Sequence, residues 1–154
     1  PPSDAATTGS GEIEMQPTSA EGAQKILTRA QDLVANGDRE AAIDLLQKSR
    51  ATYPDNAEIP FLAGKLYFGK LWWTDGLKQF RDAVRIDPRY KTDPELIKTV
   101  LKGFITTPSY NDELAAFLRN DIGAPAASYL EETARDHPNA TIRARAKSEL
   151  ARYR

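Results

Sequence analysis

Two prolines, Pro54 and Pro88, each close the same pattern of residues. Ahead of each lie two stretches whose apolar residues recur at spacings of three and four, the period of one helix face. In the first stretch, Gln24 to Ala35, that face is Ile26, Leu27, Ala30, Leu33 and Val34. Asn36-Gly37 stops this helix, and Asp38 is placed to cap a second one, Arg39 to about Thr52, with Ala42, Ile43, Leu45, Leu46 and Ser49 inward. Tyr53 precedes a proline, which drives it out of the helical region, so Tyr53 to Asn56 is a turn. The pattern then recurs. Ile59 to Gly69 carries Leu62, Ala63, Leu66 and Tyr67, with Phe61 and Phe68 on an adjoining stripe. A short turn holds Leu71 to Thr74. A helix from about Trp73 to Ile86 presents Leu77, Phe80, Ala83 and Val84 before Asp87-Pro88 ends it. From one closing proline to the next the chain repeats with a 34-residue period, the mark of stacked helical hairpins, so it reads as all-α.

Over residues 20–90 these residues resemble the tetratricopeptide repeats. With units opening at Ala23 and Ala57, Gly64, Tyr67, Phe80, Ala83 and Pro88 fall on that family's small, aromatic, aromatic, alanine and proline positions. Ala30, Leu33, Ala42, Leu46 and Pro54 fall on matching positions of the first unit, and Gly37 sits at its inter-helix turn. Departures are Ile26 where the family favours tryptophan, Ser49 and Gly76 where it favours alanine, and Pro60 in a first turn. The resemblance implies a helical superhelix that binds other proteins.

The series stops there, since Ile122 stands where a third closing proline would fall. Pro94 suits a first helical turn. Leu96, Ile97, Val100, Leu101, Phe104 and Ile105 then make an amphipathic face to about Thr106, a helix fit to cap the last repeat. Thr107-Pro108 stops it, Asn111-Asp112 starts another with Leu114, Ala115, Phe117 and Leu118, and Gly123 ends that. The last segment, 124–153, resembles a HEAT-like hairpin: Ala124-Pro125 opens one helix with Leu130 and Ala134, and Asp136 to Asn139 turns. Ile142, Arg143, Ala146 and Leu150 follow on the second helix. The expected layout is a linker at 1–19, two repeats at 20–90, and a capping helix with a C-terminal helical region at 91–154. In layout the chain is similar to the C-terminal tails of some large bacterial serine/threonine protein kinases. That likeness implies recruitment of substrates or regulators, with no kinase activity in this segment.

Composition narrows the chemistry. With no cysteine there is no disulfide, thiol nucleophile or cysteine-ligated metal. The one histidine, His137, lies in a turn before Pro138 with no second imidazole to complete a zinc set. Carboxylate neighbours such as Asp112-Glu113 and Glu131-Glu132 point in different directions on a helix. No glycine-rich phosphate loop or nucleophile elbow occurs, so no enzyme, metal or cofactor is expected. The net charge of −1 supplies no global pull toward nucleic acid. No apolar run approaches the roughly 20 residues of a membrane span, and no membrane contact is expected. The chain begins without Met in a Pro/Ser/Thr/Gly/Ala-rich stretch, as a piece cut from a larger protein would. A cytoplasmic setting is favoured, with targeting segments upstream left open.

The resemblance places a concave groove on the first helix of each unit. It maps to Gln24, Leu27, Gln31, Val34 and Ala35, then to Glu58, Phe61, Lys65, Phe68 and Gly69. The candidate partner-binding residues are therefore Gln31, Glu58, Phe61, Lys65 and Phe68. Phe61 and Phe68 with the Lys65 cation suit a peptide bearing an acidic or C-terminal carboxylate. Trp72 joins them as an aromatic anchor, because Trp73 occupies the packing position beside it. The expected species is a monomer bound to a protein or peptide. Two other readings stand beside this one. A scaffold or oligomer would be joined through Phe61 and Phe68. An acidic or nucleic-acid partner would be held by the basic last helix, where Arg143, Lys147 and Arg154 share a face.

Overall fold

A computed structural model describes residues 19–153. The expected linker falls, apart from Ser19, outside the described residues, as does Arg154. The described chain is all-α. Its helices are α1 (Ser19–Ala35), α2 (Arg39–Ser49), α3 (Glu58–Gly69), α4 (Trp73–Ile86), α5 (Pro94–Lys102), α6 (Pro108–Phe117), α7 (Ala126–Asp136) and α8 (Ala140–Leu150). Short 3₁₀ turns at Pro88–Thr92 and Gly103–Ile105 flank α5, and a π-helical turn, Leu118–Ile122, follows α6.

The sequence period reappears in the helix ends. α1 ends at Ala35 and α3 at Gly69, while α2 opens at Arg39 and α4 at Trp73. The two connecting turns carry the same pair of hydrogen bonds. In the first, the Gly37 N–H donates to the Val34 carbonyl at 2.9 Å and the Asp38 N–H to the Leu33 carbonyl at 2.8 Å. In the second, the Leu71 N–H donates to Phe68 and the Trp72 N–H to Tyr67, each at 3.0 Å. Both satisfy the last carbonyls of a helix through one residue in the left-handed region. That residue is Gly37 at φ 85° in one turn and Leu71 at φ 65° in the other. Asp38 caps α2 as its sequence position predicts, accepting from the Ala41 N–H at 3.1 Å.

Beyond Pro88 the expected boundaries shift. α5 stops at Lys102 and tightens into the 3₁₀ turn instead of running to Thr106. Asp93 caps it, accepting from the Leu96 N–H at 3.0 Å. α6 opens at Pro108, ahead of the expected Asn111 start. Proline there ends nothing, because its fixed φ and missing N–H both fit the first helical position. Gly123, at φ 83°, closes the π-helical turn by donating to the Leu118 carbonyl at 2.8 Å.

Two apolar clusters share α3. Leu27, Ala30, Ile43 and Leu46 pack with Ile59, Ala63 and Leu66 of α3. Phe61 and Phe68, on the other side of α3, join Leu77, Phe80, Leu96, Phe104, Leu114, Phe117, Leu130 and Ala146 in a cluster that reaches α8. Within the second hairpin the helices meet over reciprocal glycine–phenylalanine contacts. A Cβ on Gly64 would lie 2.5 Å from the Phe80 ring, and one on Gly76 would overlap the Phe68 ring. Polar ties brace the stack. Arg50 at the end of α2 donates to Gln79 and Asp82 of α4, each at 2.9 Å. Arg119 in the π-helical turn donates to both oxygens of the buried Glu149 of α8 at 2.7 Å.

Candidate interaction edge

The side chains expected to line a groove divide between two environments. Gln31 is exposed on α1, and Glu58 is exposed in the first turn of α3. Phe61 is only 8% exposed and Phe68 only 5%. Tyr90, from the 3₁₀ turn before α5, stands over Phe61 with ring centroids 4.7 Å apart, and Trp73 meets Phe68 edge-on at 5.5 Å. The Lys65 ammonium lies over the Phe61 ring at 4.6 Å and pairs with Glu95 of α5 at 3.0 Å. Thus the apolar groove expected at Phe61, Lys65 and Phe68 is covered by this chain's own residues. α5 and the 3₁₀ turn before it follow directly on α4 and pack on the second hairpin.

The Tyr90 phenol is pushed up to about 12, chiefly because burial disfavours the phenolate and secondarily because Glu58, Asp93 and Asp87 lie near. Asp87 is held below the usual carboxylate range by hydrogen bonds from the Arg89 side chain and backbone. Those acids serve the fold, since Asp87 accepts from the Arg89 N–H at 3.1 Å and Asp93 caps α5.

Two arginines of the basic last helix are likewise engaged, while Lys147 stays exposed. Arg143 donates to the carbonyls of His137 and Pro138, at 2.6 and 3.0 Å. Arg145 donates to the carbonyls of Phe104 and Thr106, at 2.6 Å each. Arg154 lies outside the described residues. His137 accepts from the Asn139 N–H at 3.0 Å, which shapes the turn. Among the described residues no three His, Cys, Asp or Glu side chains are grouped to hold a metal. No described helix is long and apolar enough to cross a membrane.

What does lie open is one edge of the helix stack. Among the described residues the exposed large apolar side chains are Val34, Leu71, Trp72, Ile105 and Tyr110, with Leu71 66% and Trp72 49% exposed. All sit at or beside the turns α1–α2, α3–α4 and α5–α6, which alternate antiparallel helices bring to the same end. Contacts join the turns. Arg39 donates to the Gly69 carbonyl at 3.3 Å, and Lys70 pairs with Glu40. A Cβ on Gly103 would lie 3.0 Å from Trp73, and Thr74 donates to Glu113 at 3.4 Å. Trp72 is held in place: its ring stacks on Tyr67 at 6.0 Å, and the Lys70 ammonium stands 4.1 Å from its centroid. Sequence reasoning found Trp72 and missed Leu71, Ile105 and Tyr110. For Leu71 the signal was present, because it holds in the second unit the place of Gly37 in the first, where a turn wants glycine.

The chain matches no protein-family model, no curated protein and no solved structure.

Proposed function

We propose that this chain is a protein-interaction module, without catalytic chemistry of its own, that meets its partner through the turn edge and not through the groove. The observation that carries this is Leu71. It is two-thirds exposed and held at φ 65°, a conformation that costs a leucine about 1–2 kcal/mol where glycine would fit freely. Strained backbone clusters at ligand clamps and other functional sites. Trp72 beside it is an aromatic already fixed by Tyr67 and Lys70, which lowers the ordering cost of binding. The paired turns, recurring at the sequence period, support a tetratricopeptide-like reading of the first four helices. In a larger protein, such as the kinases whose tails the sequence resembles, this module would bring a substrate or regulator to the rest of the chain.

The test is capture of proteins from a lysate of the source cells. Leu71→Ser with Trp72→Ser is expected to abolish capture while the thermal melt by circular dichroism keeps its cooperativity. Lys65→Glu, in the covered groove, is expected to leave capture intact. Capture that survives the double change but is lost with Lys65→Glu returns the function to the groove.

A further inference from the structure

Away from the turn edge, we infer that the cleft between α6 and α8 binds a phosphate monoester through Arg119, Arg145 and Arg152. The cleft measures about 420 Å³, a size that suits a small ligand. Its walls carry Asp112 of α6, Arg119 of the π-helical turn, Arg145, Ser148 and Glu149 of α8, and Arg152 just past that helix. Arg145, Ser148 and Glu149 stand at spacings of three and four and share one face of α8. Arg143 and Lys147 project from the opposite face, so the cleft is distinct from the basic stripe they form.

The state of the three arginines points to an anion. Arg145 is partly buried, and its Nη1 donates to the Phe104 and Thr106 carbonyls. Those acceptors are neutral, so its charge is unanswered, and no ion pair joins it to a described carboxylate. A partly buried cation without a counterion is costly, and an anion in the cleft removes that cost. Arg119 spends only Nη1, on the two oxygens of buried Glu149. Arg152 is exposed, and neither its side chain nor the Ser148 hydroxyl bonds a described residue. Glu149 thus answers one guanidinium of three. Two remain against Asp112, which is exposed, ion-paired with no described residue, and able to keep its carboxylate in water. Arg119 and Arg145 are held in place by the fold, which lowers the ordering cost of binding, and their Nε and Nη2 donors remain unspent. Arg119 also sits where α6 widens into a π-helical turn, a feature that recurs at functional sites. A phosphate monoester brings close to two negative charges and three acceptor oxygens, enough to meet three arginines at once. A carboxylate brings one charge and two oxygens.

The test titrates the full ¹⁵N-labelled chain and follows its arginine Nε–H resonances by NMR. The probes are inorganic phosphate, a short phosphoserine peptide, its unphosphorylated twin, and acetate at matched ionic strength. Phosphate and the phosphopeptide are expected to shift the Arg119, Arg145 and Arg152 resonances saturably. Arg152→Ala, which removes no bond of the fold, is expected to weaken binding at least fivefold. Asp112→Asn is expected to tighten it at least twofold, a gain that a purely structural cleft would not give. A phosphopeptide that binds more tightly than inorganic phosphate supports the inference with a phosphorylated side chain as the source. One that binds no tighter supports it with a free phosphate compound as the source. Acetate or the unphosphorylated twin binding as well as the phosphate probes overturns the inference, as does the absence of a saturable shift. Arg152→Ala binding like the parent, or Asp112→Asn binding no tighter, also overturns it.

Discussion

Ala30 and Leu46 in the first hairpin stand where Gly64 and Phe80 stand in the second, and Val34 with Ala42 where Phe68 stands with Gly76. The helix ends and turn hydrogen bonds correspond, but each small residue has shrunk and each partner has grown. Two hairpins can thus share one plan while filling it differently, because a packed interface responds to the sum of facing volumes. The reason for the exchange lies outside the hairpin. Val34 is part of the open edge. Phe68 stacks on Phe80 at 5.1 Å and touches Trp73, and Phe61 stands 5.9 Å from Phe80. These rings extend from the second hairpin into the cluster that runs on to α8. Among the described helices, the first hairpin packs on one neighbour, and the second joins two sets of helices.

The sharpest way to break this comparison is to undo the exchange. Phe80→Ala is expected to cost about 3–5 kcal/mol, at or above the roughly 2–5 kcal/mol of Leu46→Ala, because its ring serves both hairpin and C-terminal cluster. Gly64→Ala is expected to destabilise by about 1–3 kcal/mol through its clash with that ring, although alanine is the better helix former. Adding Phe80→Leu to Gly64→Ala recreates the first hairpin's pair and is expected to recover part of the loss. Urea unfolding of the four variants measures all of this. A Gly64→Ala protein as stable as the parent means that the ring does not depend on the missing Cβ.

Much of this fold was legible because its causes are local. The repeat period, the Asp38 cap, the Gly37 stop, the Trp73 start and the Gly123 stop each follow from side chains within a turn or two. The error at Pro108 was also local, since one residue type both ends and begins helices. The candidate site was less legible for a different reason. Whether Phe61 and Phe68 face a ligand or the interior depends on Tyr90 and α5, which pack on the second hairpin from beyond its closing proline. Periodicity reports which residues share a face but not what covers that face. Ile105 and Tyr110 carry apolar patterns like their buried neighbours, so only the packed structure separates them.

The next comparison is between the two turns. Gly37→Ala places a side chain at φ 85° and is expected to cost about 1–2 kcal/mol, with no clash since nothing lies within 4 Å of the added Cβ. Leu71→Gly is the reverse change at the equivalent turn. Relief of the left-handed leucine offsets the extra freedom glycine brings to the unfolded chain, for a net gain of up to about 1 kcal/mol. Thermal melts of both variants decide the matter. A Leu71→Gly protein that loses more than the Gly37 variant would show that the leucine packs for stability and is not strained for binding.

The smallest expected effect concerns the cover over the second hairpin. Asn56 holds in the first unit the place of Tyr90 in the second and carries no titrating group, so at this repeat position a phenol stands in the second unit alone. Burial favours that phenol neutral, with its folded value at about 12 against an ordinary value of about 10. The sign follows from linkage: the unfolded chain releases this proton first, so the stabilisation is complete below about pH 10 and is lost as pH rises toward 12. Because Tyr90 keeps part of its surface in water, the effect is modest. Urea midpoints measured from about pH 9 to about pH 12 are expected to fall less steeply in Tyr90→Phe than in the parent. A slope unchanged by that substitution would mean that Tyr90 covers Phe61 without being desolvated by it, and that the second hairpin is less sealed from water than its rings imply.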